Sequence, residues 1–229
     1  MNIAEIVLVQ LCKLDCAFLL YLCASDLHVV RSLSTVLYKH VLPYQMKDTR
    51  LAWYAAWKGD IQLLQRLRIA GRVFDEWVAG CAAEGGHLHV LQWLRLGECP
   101  WDEKVCMYAA EGGHLRVLQW ARANGCKWDL WTCALAAQHG HIHVLKWARE
   151  QQCPWGEQAC AYAAIGGQLE TLQWLRARGC PWNSTTHCYA LESNHLAIAE
   201  WALANGCPPS EHAIRRYNLL KNIKRQRKK

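Results

Sequence analysis

The sequence repeats itself with a period of 27 residues. Residues 82–108 read AAEGGHLHVLQWLRLGECPWDEKVCMY, and the following unit reads AAEGGHLRVLQWARANGCKWDLWTCAL. A period of this length indicates a stacked array, in which each unit buries its apolar side only against its neighbours. The units start at Ala55, Ala82, Ala109, Ala136, Ala163 and Ala190.

Each unit predicts two short helices. The Ala-Ala pair lies near the end of the first helix, and the Gly85-Gly86 pair or its equivalent provides the left-handed backbone of a tight turn. The second helix, HLHVLQWLR, has an apolar stripe. It ends at a glycine, and a Cys-Pro-Trp loop follows in three units. The terminating glycines are Gly97, Gly125, Gly179 and Gly206, and the residues predicted to cap the next first helix are Asp75, Asp102, Asp129, Asn183 and Ser210.

This pattern resembles the second half of an ankyrin repeat. Ala82-Ala83, Gly86-His87 and Val90-Leu91 match that half in register, and the likeness covers about residues 51–216. Ankyrin units have about 33 residues, so about six are missing, where the β-hairpin finger would lie. The resemblance implies an all-α solenoid of stacked helix-turn-helix units without the finger. Short arrays of this kind are similar to those of giant DNA viruses and protists.

The resemblance also implies a function. Ankyrin-like arrays bind proteins on their concave face, the side of the first helices, so we expect a protein-protein interaction scaffold. The residues that differ between units on this side are the predicted binding positions, with Met107 and Trp131 as anchors. They are Glu84, Lys104, Met107, Glu111, Trp131, Gln138, Gln158, Ile165 and Glu192.

Residues 1–50 stand outside the repeats and allow two interpretations. Part of the segment resembles the F-box, which implies docking to a Skp1-type adaptor of a cullin ubiquitin ligase. The alternative is a helical cap that covers the open end of the array. The residues assigned to docking are Ile6, Leu11, Leu14, Leu19 and Leu20.

The net charge of +7 belongs mainly to the C-terminal tail, residues 217–229. Residues 221–229 carry six positive charges, which leaves 7 − 6 = +1 for the remainder. This end is typical of a nuclear localisation signal or a contact with nucleic acid or an anionic surface; the alternative is a solvated, disordered end. The residues concerned are Lys224, Arg225, Arg227, Lys228 and Lys229.

Arginine recurs at the end of the second helices, and two explanations are open. A cation there interacts favourably with the helix dipole, or the arginines form a positive row for an acidic partner. With the tail, this row supports an alternative function, association with nucleic acid. The row comprises Arg68, Arg95, Arg122, Arg149 and Arg176.

The 13 tryptophans and 13 cysteines recur mostly with the repeat, which predicts that they pack in the core. The cysteines are therefore expected to be reduced, in an intracellular compartment. This compartment is the cytoplasm or nucleus, of an infected host cell if the chain is viral. The recurring Gly-His residues are expected to be structural. The sequence has no zinc-type cysteine pairs, no catalytic motif and no apolar run of 18 residues. We therefore expect a monomer without enzymatic activity, cofactor or membrane contact.

Overall fold

The computed structural model describes residues 50–211 and 213–217. The chain divides into two compact units, Met1–Leu51 and Ala52–Lys229, and the second contains the repeats. Helices alternate along the described residues in two rows. The first helices of the units are α1 Arg50–Lys58, α3 Glu76–Glu84, α5 Lys104–Glu111, α7 Leu130–Gln138, α9 Glu157–Ile165 and α11 Ser184–Glu192. The second helices are α2 Ile61–Ile69, α4 Leu88–Leu96, α6 Leu115–Ala123, α8 Ile142–Glu150, α10 Leu169–Ala177 and α12 Leu196–Ala204.

The first helices begin at the predicted capping residues. Asp75, Asp129 and Asn183 each accept a hydrogen bond from a backbone N–H in the first turn, at 3.3, 2.9 and 2.9 Å. Asp102 accepts one from the Lys104 N–H at 3.0 Å. Gly156 stands at this position before α9 and has no side chain to cap with.

Small residues bring the first helices close together. Ala82, Ala83, Ala109 and Ala110 are fully buried between neighbouring units. Successive first helices from α3 to α11 contact each other more extensively than any successive second helices among the described residues. A stack that is spaced more closely on one side bends toward that side, so the first helices line the inner side of this array.

The second helices provide the large apolar side chains of the core. Leu91, Leu118, Leu145 and Leu172 recur at the 27-residue period and are at most 1% exposed. Burying such a side chain contributes about 1.5–3 kcal/mol. The predicted apolar stripe is therefore confirmed.

The turn between the two helices of a unit has left-handed backbone. Gly86 and Gly113 have φ of 76° and 73°, and Asn194 takes the same role with φ of 63°. A Cβ atom at Gly113 would lie 2.7 Å from the His141 ring of the following unit. Glycine is thus required there for backbone conformation and for space.

The second helix of each unit ends in a similar turn, with one departure from the sequence interpretation. Gly125, Gly179 and Gly206 have positive φ, as expected of helix-terminating glycines. Gly97 instead has φ of −87°, and Glu98 adopts the left-handed conformation with φ of 56°. The turn needs this conformation at the residue before the cysteine, and in this unit the glycine lies one residue too early.

The all-α class and the absence of the β-hairpin finger are confirmed over the described residues, where no strand occurs. Residue 211 and residues 213–217 are helical as well. None of the described helices has the length and hydropathy needed to cross a membrane.

Candidate interaction face

The first helices present one row of side chains near their N-terminal ends. In five successive units this position holds Trp77, Lys104, Trp131, Gln158 and Thr185. The two tryptophans are each 37% exposed, more than any other tryptophan among the described residues. We call the exposed side of the first helices from α3 to α11 the inner face.

Tyrosines that the sequence interpretation overlooked support these tryptophans. The Trp77 ring lies 6.1 Å from Tyr108, and Trp131 meets Tyr162 edge-on at 5.5 Å. Trp53 contacts Trp77 at 6.1 Å and donates from its indole N–H to Asp75 at 2.8 Å. A sequence signal existed, because Tyr54, Tyr108, Tyr162 and Tyr189 occupy one repeat position.

Lys104 sits in a cation site that the array makes for itself. Its Nζ lies 4.7 Å from the centre of the Trp77 ring. The same atom is 2.8 Å from Asp102 Oδ2 and 3.7 Å from Glu76 Oε1. The hydrogen bond to Asp102 and the nearby carboxylates raise the pKa of Lys104. The ring and the two carboxylates thus hold this ammonium group in place.

The C-terminal ends of α3 and α5 carry neighbouring acidic side chains, Glu84 and Glu111. Burial raises the pKa of Glu84, and the neighbouring carboxylate of Glu111 raises it further. His139 Nε2 is 3.5 Å from Glu111 Oε1, and this contact raises the pKa of His139. The two carboxylates therefore repel each other across adjacent units, with one histidine beside them.

The remaining predicted binding residues lie on the same helices. Met107, Gln138, Gln158 and Ile165 are half-buried, and Glu192 is exposed. The chain thus places all nine predicted positions on α3, α5, α7, α9 and α11. Ala134, one helix turn after Trp131, is fully buried between units and offers no contact surface.

The recurring histidines are structural, as predicted. His87, His141 and His195 each place Nε2 about 3 Å from the backbone carbonyl that ends the previous first helix, at 2.9, 2.9 and 3.1 Å. A carbonyl only accepts, so Nε2 carries the proton and donates. No three His, Cys, Asp or Glu side chains in the described part of the chain converge as a metal site would require.

The loop cysteines are buried, as expected of core thiols. Each thiol donates to the backbone carbonyl of the residue 24 positions earlier, in the previous loop. The Sγ–O distances are 3.5 Å for Cys99, 3.2 Å for Cys126, 3.5 Å for Cys153, 3.4 Å for Cys180 and 3.3 Å for Cys207. Burial raises the pKa of Cys99 to about 11.

The tryptophans of the loops and of the second helices are half-buried and pack against the core. Loop and helix tryptophans of successive units meet edge-on. The ring centres are 5.8 Å apart for Trp101 and Trp120 and 5.7 Å apart for Trp128 and Trp147. The predicted packing between units is confirmed, although part of each indole stays accessible.

The arginine row has a role that neither sequence explanation included. The guanidinium groups of Arg95, Arg122, Arg149 and Arg176 lie 4.5, 4.1, 4.3 and 4.2 Å above the loop tryptophan six residues later. Arg122, Arg149 and Arg176 also donate to the loop cysteine carbonyl, and Arg68 donates to that of Gly97. These charges are engaged within the array.

Two sets of predicted residues lie outside the described residues. They are the docking residues Ile6, Leu11, Leu14, Leu19 and Leu20, and the basic residues Lys224, Arg225, Arg227, Lys228 and Lys229. Their assignments stay predictions.

Stacked helix pairs, joined by left-handed turns before a structural histidine, form an ankyrin-like helical repeat solenoid. The crystal structure of the human ASB11 ankyrin repeat domain is similar, with a TM-score of 0.51, 14% sequence identity and coverage of 68% of this chain and 83% of that one. At this identity the likeness concerns the fold. No family model and no curated protein match the sequence.

Proposed function

We propose that the array is a protein-binding module that holds its partner on the inner face. The observation that carries this is the exposure of Trp77 and Trp131, 37% each, within a row that changes from unit to unit. The contacts that recur between units, such as the histidine and loop-thiol hydrogen bonds, do not involve this row, so they leave its residues free to vary. Half-exposed indoles on a rigid scaffold are suited to anchor a partner.

A comparison of two double variants tests this proposal. Trp131→Ala with Met107→Ala removes both anchors from the inner face. Gln119→Ala with Lys146→Ala changes exposed residues of the second helices and serves as the control. Proteins that bind the wild-type chain and the control, but not the inner-face variant, support the proposal. Equal capture by all three chains argues against the inner face.

The more specific version is a substrate receptor of a ubiquitin ligase. Residues 1–45 dock a Skp1-type adaptor, and the repeats select the protein to be modified. The resemblance of the segment to the F-box supports this version. We expect the purified adaptor to bind the full chain and to lose binding after Leu14→Ala with Leu19→Ala. Unchanged binding, or none to the full chain, rejects the receptor role and leaves the inner face unaffected.

The alternative, association with nucleic acid, rests on the tail. The six positive charges of residues 221–229 support it, whereas the arginine row is engaged with tryptophans. It predicts binding that weakens steeply with salt and disappears when residues 221–229 are deleted. Binding that survives this deletion contradicts the tail's role.

A further inference from the structure

Charge is divided between the two helix rows. From α3 onward, the first helices carry five glutamates and a single lysine. The second helices from α4 onward carry six arginines or lysines and three glutamates. The first-row residues are Glu76, Glu84, Glu111, Glu157, Glu192 and Lys104. The inner face is therefore an acidic surface on a chain whose net charge is positive.

The site around Trp77 shows that this face can bind a positively charged group. The Lys104 ammonium group lies over the exposed Trp77 ring, between the carboxylates of Asp102 and Glu76. An aromatic face together with carboxylates is a favourable environment for a cation. The array fills this first position with its own side chain.

At the next exposed tryptophan, no lysine or arginine of the described residues takes this place. Trp131 occupies the repeat position of Lys104 one unit later, and Gln158 stands where a residue equivalent to Lys104 would lie over it. Neither α7 nor α9 contains a lysine or arginine. Glu103 and Glu157 flank this unit at the repeat position that Glu76 occupies beside Trp77.

A second acceptor for positive charge lies across the same face. Glu84 and Glu111 end α3 and α5, and His139 Nε2 already lies 3.5 Å from Glu111 Oε1, so a partner's cation beside Glu84 would balance the second carboxylate. Along the helix axis this pair lies about 10 Å from the tryptophan row, at 1.5 Å per residue. Trp131 also lies one unit beyond Glu111 and two beyond Glu84, and each unit adds about 8–10 Å across the face. An extended peptide covers the combined distance in about five residues.

We propose that the partner segment bound on the inner face is basic, with one lysine or arginine over the Trp131 indole and another beside Glu84 and Glu111. This rests on the proposed function, and adds the charge of the partner and the spacing of its basic residues. Because the array already places a lysine over Trp77, a partner that crosses the face at Trp131 continues an arrangement present in the array.

Three labelled dodecapeptides test this proposal with the full chain. One has arginine at every third position among leucine and serine, and the other two have glutamine or glutamate in place of arginine. Binding is followed by fluorescence anisotropy at low and moderate salt. We expect the arginine peptide to bind most tightly, and its affinity to fall about fivefold or more in Trp131→Ala and in Glu84→Gln with Glu111→Gln.

A matched control separates local from general electrostatics. Glu150→Gln with Glu170→Gln removes the same two charges from the second helices, and we expect a loss of less than about twofold. An equal loss in this control, or equal binding of the glutamine peptide, overturns the basic-partner proposal. So does the absence of arginine-peptide binding at millimolar concentration. If the glutamate peptide binds the inner face more tightly than the arginine peptide, this inference alone is refuted. The proposed function would stand, because the inner face would still bind a partner.

Discussion

His187 is a buried polar side chain whose replacement should stabilise the protein. It is fully buried, and neither ring nitrogen has a hydrogen-bond partner among the described residues. The equivalent positions in the three preceding units hold the buried cysteines Cys106, Cys133 and Cys160. Burial lowers the pKa of His187. This unit therefore holds a neutral imidazole where the others hold a thiol.

His187→Cys restores the residue of the other units. A buried unsatisfied polar group costs about 1–3 kcal/mol, and removing it stabilises the last units. Part of this gain is offset, because the smaller side chain leaves a cavity of about 40 Å³, which costs about 1 kcal/mol. It also loses the ring contact with Tyr217, at 6.3 Å. We expect a net gain of about 1 kcal/mol at pH 7.5, as the difference of these opposing terms.

The dependence on pH is the sharper part of this prediction. The folded pKa is lower than the unfolded value of about 6.5. Between the two values the unfolded chain binds the additional proton, so His187 costs the wild type stability as pH falls below about 6.5. The slope is at most about 1.4 kcal/mol per pH unit. The variant lacks this loss, and the advantage of His187→Cys therefore grows from pH 7 to pH 5.

Urea unfolding and hydrogen exchange of the α11 amides at pH 7.5, 6.5, 5.5 and 5.0 measure this difference. Histidines with lowered pKa elsewhere, such as His87 and His141, contribute equally to both chains and cancel. Parallel pH profiles of wild type and His187→Cys would refute the reasoning, since they would mean that the imidazole titrates normally in the folded chain.

Three further predictions concern the arginine row, the glycine turns and a buried thiol. Arg149→Ala should lower the free energy of unfolding by about 1–2 kcal/mol, as measured by urea unfolding. Arg149→Lys should recover less than half of this loss. If Arg149 acted only on the helix dipole, lysine would be equivalent to arginine and the loss would be recovered in full. Gly113→Ala should destabilise more than Gly125→Ala in the same assay, because both have positive φ but only Gly113 faces the His141 ring; equal losses would show that backbone conformation alone matters. Native-state alkylation at pH 8 should leave Cys81 largely unmodified, because burial raises its pKa to about 12, and labelling should follow on addition of urea; rapid labelling of the folded chain would contradict this.

The fold was predictable because each element has a local cause in the sequence. The capping aspartates, the paired alanines and the glycine turns each act within a few residues of their own position. The prediction that Gly97 forms the turn was wrong because the glycine of this unit lies one residue before the turn position. Glu98 has the left-handed backbone instead. A local pattern shows that a turn is near but not which residue bears it.

The contacts of the arginine row were harder to predict, although a signal was present. Arg95 and Trp101, Arg122 and Trp128, and the two later pairs are always six residues apart. This spacing crosses a helix end and a loop, so no helical or strand period reveals it. The histidine contacts join residues 30 apart, and the thiol contacts join residues 24 apart. Only the stacking of units brings these atoms together.

The charge of the inner face was hidden by the order of the chain. Glu84 and Glu111 lie 27 residues apart, with a helix and a loop between them, so a scan along the sequence does not show that their carboxylates are neighbours. Folding brings Glu84 and Glu111 together in the row of first helices and places Arg95, Arg122, Arg149 and Arg176 in the other row. The nine predicted positions identified the helices of this face but not its sign.

The similar contacts at successive junctions have a consequence for how such a chain can change in length. The histidine of one unit and its loop thiol each donate a hydrogen bond to a backbone carbonyl of the unit before. The tryptophan pairs recur with similar distances between ring centres. Excising a whole unit, such as residues 109–135, would rejoin surfaces that already fit each other. Gain and loss of complete units is then tolerated, whereas an insertion of any other length breaks every junction contact around it. The row of inner side chains can thus be lengthened, shortened or shuffled as modules while the stack that supports it stays the same.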